Sequence, residues 1–387
     1  MSKTRLHDLL DIGQSPWIDS LSRSMIDSGE LQSYLDRGIT GVTSNPTIFD
    51  RAISQSDAYE AQICHLVQEG YDAYSIYEAL AVADIQRACD LLRPVFDRTD
   101  RLDGYVSLEI SPFLAYSAEK SLIGARRLFS TVDRPNVMIK IPGTPAGIQA
   151  TAEALYEGIN VNVTLLFSID AYQAVIDAYL EALERRLDEG EPVDCIASVA
   201  SFFVSRVDTE IDRRLQAIVD RDPESQSGML ASCLIGTVGI SNARVAYHEF
   251  VQAFQSGRFE RLREAGARVQ RPLWASTSTK NPDYPANLYT EALIGPDTVN
   301  TMTADSIESF LADGKAEPSL SLRRDESFHA LNALSELGIS YPEINQTLVE
   351  QGLEAFAESF RSMLNTLESA KEEVIQLHEA SVAFQYE

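Results

Sequence analysis

The sequence predicts an α/β protein built as a (β/α)8 barrel with added helices. Three observations carry that expectation. Eight short runs of strand-forming residues alternate with segments of helical periodicity, an order that implies parallel pairing through right-handed crossovers. One face of strand after strand is polar, where a parallel sheet covered by helices would be apolar on both faces. No strand is followed by a GxGxxG loop, which argues against an open doubly wound sheet. The 387 residues suffice for one large domain or two ordinary ones. With no low-complexity linker and no repeat, residues 1–387 read as one barrel domain with a helical, charged C-terminal extension from about residue 342.

The elements follow in chain order. Ser15–Ser20 (SPWIDS) reads as the first strand and Ser22–Leu35 as the helix after it. Gly41–Pro46 (GVTSNP) is a second strand with a turn at its end. Ser54–Phe96 is a long helical region with several breaks, in which Ile76, Leu80, Val82, Ile85, Leu91 and Leu92 recur at roughly helical spacing. Gly104–Ile110 is the third strand, followed by a helix over Ser117–Phe129. The fourth strand runs through Val137, Met138 and Ile139 to the turn cluster Pro142-Gly143-Thr144-Pro145, and a helix leads on from Ala146 to near Glu157. Gly158–Phe167 and Asp194–Phe202 are the fifth and sixth strands, with the helix Ile169–Leu187 between them. Helical stretches Arg206–Val219 and Met229–Phe254 precede the seventh strand, Pro272–Ser278. Thr298–Thr303 is the eighth, and Pro342–Phe384 is helical.

Side chains alternate faces along a strand. On that count Asn160, Asn162 and Thr164 share one face of the fifth strand, and Tyr105, Ser107 and Glu109 one face of the third. Trp17 and Asp19 share a face of the first, Trp274, Ser276 and Ser278 of the seventh, and Asn136, Met138 and Lys140 of the fourth. A barrel whose polar side lines a site accounts for all five. Lys140 is the residue least suited to its surroundings, since Ile139 and Ile141 flank it. Burying a lone ammonium costs several kcal/mol, so such a lysine is either paired or driven toward the neutral amine that attacks carbonyls. Asp19 and Glu109 close the first and third strands, at the barrel end where catalytic groups collect. Converging on Lys140, they would pair it and could move the protons of an imine.

Composition narrows the partners. Acidic residues outnumber basic ones by 58 to 32, a net charge of −26, which argues against nucleic acid and against an anionic membrane surface. An anionic substrate would have to be drawn in by a local cluster of cations. No apolar run approaches the roughly 20 residues of a membrane span, and the start MSKTRLHDLL lacks a signal peptide's apolar core, so a cytoplasmic location is expected. Cys64, Cys89, Cys195 and Cys233 are widely spaced and read as buried thiols. The five histidines are equally scattered, and no metal site is expected.

The motifs GVTSNPTIF, VMIKIPGTPAGI, INVNVTLLFS and SVASFFVSRVDTEID resemble those of the transaldolase family, in order and with its spacing, from Trp17 to about Pro282. The overall length and the segment LWASTSTKNP look like the longer bacterial branch. The resemblance implies a circularly permuted class I aldolase barrel that needs no cofactor and takes sugar phosphates. It implies reversible transfer of a dihydroxyacetone unit from sedoheptulose 7-phosphate to glyceraldehyde 3-phosphate, giving erythrose 4-phosphate and fructose 6-phosphate in the pentose phosphate pathway. By similarity Lys140 matches the Schiff-base lysine, Asp19 the aspartate that handles the substrate hydroxyl proton, and Glu109 the glutamate that works through a water. Thr164 would position that water, Asn45 and Asn162 would hold donor hydroxyls, and Ser201 would contact the dihydroxyacetone unit. Arg206 and Ser276 would bind phosphate. Where shorter members carry an arginine two residues after the serine, this chain has Ser278, and Lys280 is the nearest cation; lysine binds phosphate as a point charge, not a planar fork. The nearest competing activity is fructose-6-phosphate aldolase, whose members carry a glutamine and a tyrosine where Glu109 and Phe203 stand here. A catalytically silent sugar-phosphate-binding barrel would be expected to lack one of Lys140, Asp19 or Glu109. The oligomeric state, monomer or homodimer, is left open by the sequence.

Overall fold

The computed structural model describes residues 3–384. Eight strands close into a parallel barrel in sequence order: β1 Gln14–Ile18, β2 Gly41–Thr43, β3 Val106–Glu109, β4 Val137–Pro142, β5 Val161–Leu166, β6 Ser198–Phe203, β7 Arg271–Ala275 and β8 Thr298–Met302. Closure is made by β8 against β1, paired from Gln14 with Thr298 through Ile18 with Met302. The register sets Glu109 opposite Lys140 and Lys140 opposite Asn162. Three neighbouring strands thus present their polar residues in one layer.

Two apolar clusters hold this frame. Val106, Leu108, Ile139, Ile141, Val161 and Val163 face outward into the core shared with the helices, each burial contributing about 1.5–3 kcal/mol. Trp17, Met138, Val199, Leu273 and Val299 fill the lower lumen. Gly41 is required there, because a Cβ on it would lie 2.3 Å from the Trp17 indole. Below them an ion pair plugs the floor. Arg271 meets Asp103 at 3.2 Å, donates to Ser15 Oγ at 2.8 Å, and Asp103 also accepts from Trp17 Nε1 at 2.9 Å. Asn136 and Asn160, two of the polar residues expected to line a site, serve the backbone instead. Asn136 donates to the carbonyls of Cys89 and Gly104, and Asn160 bridges β4 and the residue before β6.

The parity expected for the seventh strand is corrected by the structure. Trp274 points outward and packs edge-on against Phe202, while Leu273 and Ala275 face the lumen. The strand ends at Ala275, and Ser276 adopts a left-handed φ of 56°. That turn breaks the alternation, so Ser276 and Ser278 still reach the site. Leu165 does the same in β5, with φ of 59° where the pairing with β6 slips between Val163 and Leu166. The thiols also differ from expectation: Cys89 is buried, Cys64 is half-buried, and Cys195 and Cys233 are exposed. Cys195 stands in the loop before β6 and Cys233 in the helix Gln226–Leu234, neither of which turns it into a core.

Several helices begin on side-chain caps at the C-terminal end of the barrel. Asn45, Thr144 and Ser168 accept from backbone N–H groups of helices Pro46–Ser54, Pro145–Tyr156 and Ile169–Asp188, which fixes where each chain segment leaves the site. The long helical region expected after β2 resolves into Glu60–Gln68 and Ala73–Arg98. Helices Arg5–Ile12, Gly257–Glu264, Ala304–Asp313 and Arg324–Glu336 were not anticipated by the sequence reading. The C-terminal helix Tyr341–Phe384 packs on Pro46–Ser54, Glu60–Gln68 and Ala73–Arg98, and touches β5 and the helix Ser205–Arg221. Among the described residues no single helix is long and apolar enough to cross a membrane. One bent pair, Gln226–Leu234 with Val238–Phe254, passes on length and composition, but Val238–Phe254 buries much of its surface inside the protein.

Candidate active site

Lys140 occupies the inner face of β4, 5% exposed. Its ammonium donates to the Ser44 carbonyl at 3.0 Å and meets Glu109 Oε2 at 3.2 Å. Glu109 ends β3 and is as deeply buried. Burial pushes its carboxyl above the usual glutamate range, and the Lys140 charge pulls the other way. Neither Glu109 oxygen makes a hydrogen bond that satisfies it within the protein, and Thr164 Oγ1, two strands away, is likewise unpaired. Buried polar atoms are nearly always paired, so these are the points at which substrate or water oxygens would engage.

Asp19 follows β1 directly. Its backbone N–H continues the ladder to Met302 O at 2.8 Å, and Oδ1 accepts from Thr43 Oγ1 at 2.6 Å. Thr43 in turn contacts Thr301 Oγ1 at 2.6 Å. One carboxylate oxygen is therefore anchored, and Asp19 presents the remainder to a cavity of about 280 Å3. Lys140, Thr164, Asn45, Ser201, Phe203, Arg206, Ser276 and Lys280 line the same cavity. Glu109 and Asn162 stand behind its wall. Asn162 is bonded within the protein through both amide atoms: Nδ2 donates to Ser107 Oγ at 3.0 Å, and Oδ1 accepts from Ser201 Oγ at 2.7 Å. It holds Ser201 in place and does not itself line the cavity. Asn45 spends its Oδ1 on the Ile48 N–H at 3.0 Å, leaving its amide nitrogen to the site.

The cations gather at one side. Arg206 lies over the Phe203 ring at 5.4 Å, and Phe203 packs on Phe167 at 5.1 Å. Burial pulls the Arg206 guanidinium down from its ordinary value, against the pull of Asp19 and Glu109. Lys280 is also held down by burial and by Arg206, and it donates to Ser278 Oγ at 2.9 Å. Arg51 is the residue that sequence reasoning missed. It lines this cavity and the adjoining vestibule of about 790 Å3, which also shares Asp19, Ser278 and Lys280. Among the described residues neither Arg51 nor Arg206 has an acidic partner within 4.0 Å. A chain of net charge −26 thus keeps three cations around one opening, which suits an anionic ligand. A signal for Arg51 existed: a helix capped by Asn45 sets Thr47, Ile48 and Arg51 on the face toward the site. Phe356, from the C-terminal helix, also lines the cavity. It lies too far along the chain for any local pattern to announce it.

Imine chemistry needs an amine that can give up its proton beside an acid that can hold one. A lysine and a raised glutamate facing each other across adjacent strands, at the catalytic end of a closed parallel barrel, meet that need. Fold and site together make this a (β/α)8 barrel of the class I aldolase type. The chain belongs to the transaldolase/fructose-6-phosphate aldolase family, whose model matches residues 16–367. Transaldolase 2 of Nostoc sp. (strain PCC 7120) is 42% identical over 373 residues, covering 95% of this chain and 98% of its own. Transaldolase of Frankia alni is 42% identical over 364 residues, 94% of this chain and 96% of its own. Transaldolase of Mycolicibacterium smegmatis is 41% identical over 355 residues, 91% and 94% respectively.

Proposed function

We propose that the chain is a transaldolase that moves a dihydroxyacetone unit between phosphorylated sugars through a Schiff base on Lys140, in the pentose phosphate pathway of the cytoplasm. The observation that carries this reading is the Lys140–Glu109 contact at 3.2 Å, with Asp19 across the same cavity. Relatives named transaldolase match over nearly the whole chain.

In the proposed cycle the Glu109 carboxylate, made a stronger base by burial, accepts the proton that Lys140 sheds. The neutral amine adds to the C2 carbonyl of fructose 6-phosphate or sedoheptulose 7-phosphate. Glu109, through a water held at Thr164, returns a proton to the carbinolamine hydroxyl, and water leaves to give the iminium. Asp19 takes the C4 hydroxyl proton while the C3–C4 bond breaks. The bonding pair flows into the iminium, leaving an enamine on Lys140 and a free aldose phosphate. The acceptor aldehyde then enters, and the steps run in reverse. Arg206, Ser276 and Lys280 are the proposed phosphate ligands, and Arg51 joins them on the geometry of the cavity. Ser201 and Asn45 would hold the hydroxyls of the three-carbon unit.

The test separates transfer from simple cleavage. Fructose 6-phosphate with erythrose 4-phosphate should yield sedoheptulose 7-phosphate. Fructose 6-phosphate alone should release at most a trace of free dihydroxyacetone. Steady release of dihydroxyacetone without an acceptor would assign the chain to the aldolase activity instead.

A further inference from the structure

A glycine in the interior of a long helix weakens it, so its presence there asks for a packing reason. Gly352 is buried in the C-terminal helix Tyr341–Phe384. A Cβ placed on it would lie 2.9 Å from Leu165 Cδ2 and 3.5 Å from Arg206 Nη1. Leu165 is there because its left-handed backbone turns it inward at the slip in the β5–β6 pairing. The Arg206 guanidinium also lies over the Phe203 ring at 5.4 Å. Arg206 thus lies beside both an aromatic ring and the bare backbone of this helix, and among the described residues no carboxylate lies within 4.0 Å of it.

The helix is also fixed to the site in the turns that follow this point. Phe356, one turn on, lines the cavity with Lys140 and Arg206. Ser359 Oγ lies 2.8 Å from Thr47 Oγ1, on the helix that carries Arg51. A Cβ at 352 would only touch the guanidinium at an ordinary contact distance, whereas any longer side chain takes room that the guanidinium occupies.

We infer that Gly352 is a specificity-determining position: with no bulky side chain there Arg206 keeps its seat, which sets the preference for phosphorylated over unphosphorylated sugars. The inference rests on the proposed role of Arg206 as a phosphate ligand. It makes the C-terminal helix a working wall of the site. Gly352 is a positioning residue, acting through Arg206.

The experiment compares Gly352→Ala, Gly352→Leu and Arg206→Ala with the parent chain. The quantity read is the ratio of kcat/KM for fructose 6-phosphate to that for unphosphorylated fructose, alongside Tm. Gly352→Ala presses on the flexible end of Leu165 and meets Arg206 Nη1 at an ordinary contact distance, so its Tm should hold or rise and its ratio should stay near that of the parent. Gly352→Leu should lower the ratio at least about tenfold, the loss expected when a charge-assisted hydrogen bond is misplaced. The fall should appear in KM for the phosphorylated substrate. Arg206→Ala should lower the ratio further. An unchanged ratio in Arg206→Ala would remove the phosphate reading of that residue and this inference with it. A lowered ratio there, with the parent ratio kept in both Gly352 variants, would overturn the inference alone. So would equal losses on both sugars accompanied by a fall in Tm, the mark of a purely structural glycine.

Discussion

The buried Lys140–Glu109 pair invites a double-mutant cycle with Glu109→Gln, Lys140→Met and the two combined. At 3.2 Å the gross attraction is about 5 kcal/mol at an effective dielectric of about 20, and desolvation of both ions consumes much of it. Breaking the pair is the costly act. The orphaned ion escapes by changing protonation, which at pH 7 costs up to about 4 kcal/mol for a glutamate and up to about 5 kcal/mol for a lysine relative to the unfolded chain. For 387 residues the unfolding entropy is roughly 0.8 kcal/mol/K, so each single variant should lose about 4–6 °C in Tm. The double variant leaves no orphan and should lose clearly less than the sum. The assay is thermal unfolding by circular dichroism at one scan rate. Burial already holds Glu109 above the usual range, so its protonated form favours the fold. The Lys140→Met deficit should therefore shrink as pH falls toward the ordinary glutamate value of about 4.3 and return as pH rises above it. Additive Tm shifts, or a Lys140→Met deficit that ignores pH, would refute the claim that this pair is buried and mutually dependent.

Other predictions concern proton traffic. Glu109→Gln should slow both formation and hydrolysis of the imine and remove the acid limb of the kcat/KM profile, seen by stopped-flow and steady-state rates across pH. In the parent that limb should lie above the ordinary glutamate range, because burial raises Glu109. Asp208 is buried in the helix Ser205–Arg221, accepting from Gly239 N at 2.8 Å and Tyr289 OH at 2.9 Å. Burial, with Asp212 adding, pushes its carboxyl up to about 6. Its stabilising contribution is fully present below the unfolded value and is lost as pH rises toward 6, a change of about 3 kcal/mol. Asp208→Asn should flatten the Tm–pH curve between about pH 4 and 6, and an unaltered slope would mean that Asp208 does not titrate there.

The barrel was legible because its signals are local. Eight β/α alternations, Pro and Gly punctuation and period-two polarity sit within a few residues of one another. The polar face was legible too, but its meaning was mixed. Asn136 and Asn160 are polar because they mend backbone gaps at the base of the strands, whereas Lys140 and Thr164 face the cavity. No period count separates those fates. Period counting failed outright where the backbone turns left-handed, at Ser276 and beside Leu165. The helix Arg324–Glu336 went unseen because it starts from Arg323 in a left-handed conformation, without a capping side chain. Gly352 and Phe356 approach the site only through packing between distant segments, and a linear reading carries no trace of that proximity.

The central claim is a covalent intermediate on Lys140, and intact mass after borohydride reduction tests it most directly. The parent chain and Lys140→Ala would each be incubated with fructose 6-phosphate and reduced. A stable adduct of one reduced dihydroxyacetone unit in the parent, absent from Lys140→Ala, is the predicted result. No adduct in the parent, or the same adduct in Lys140→Ala, would contradict it.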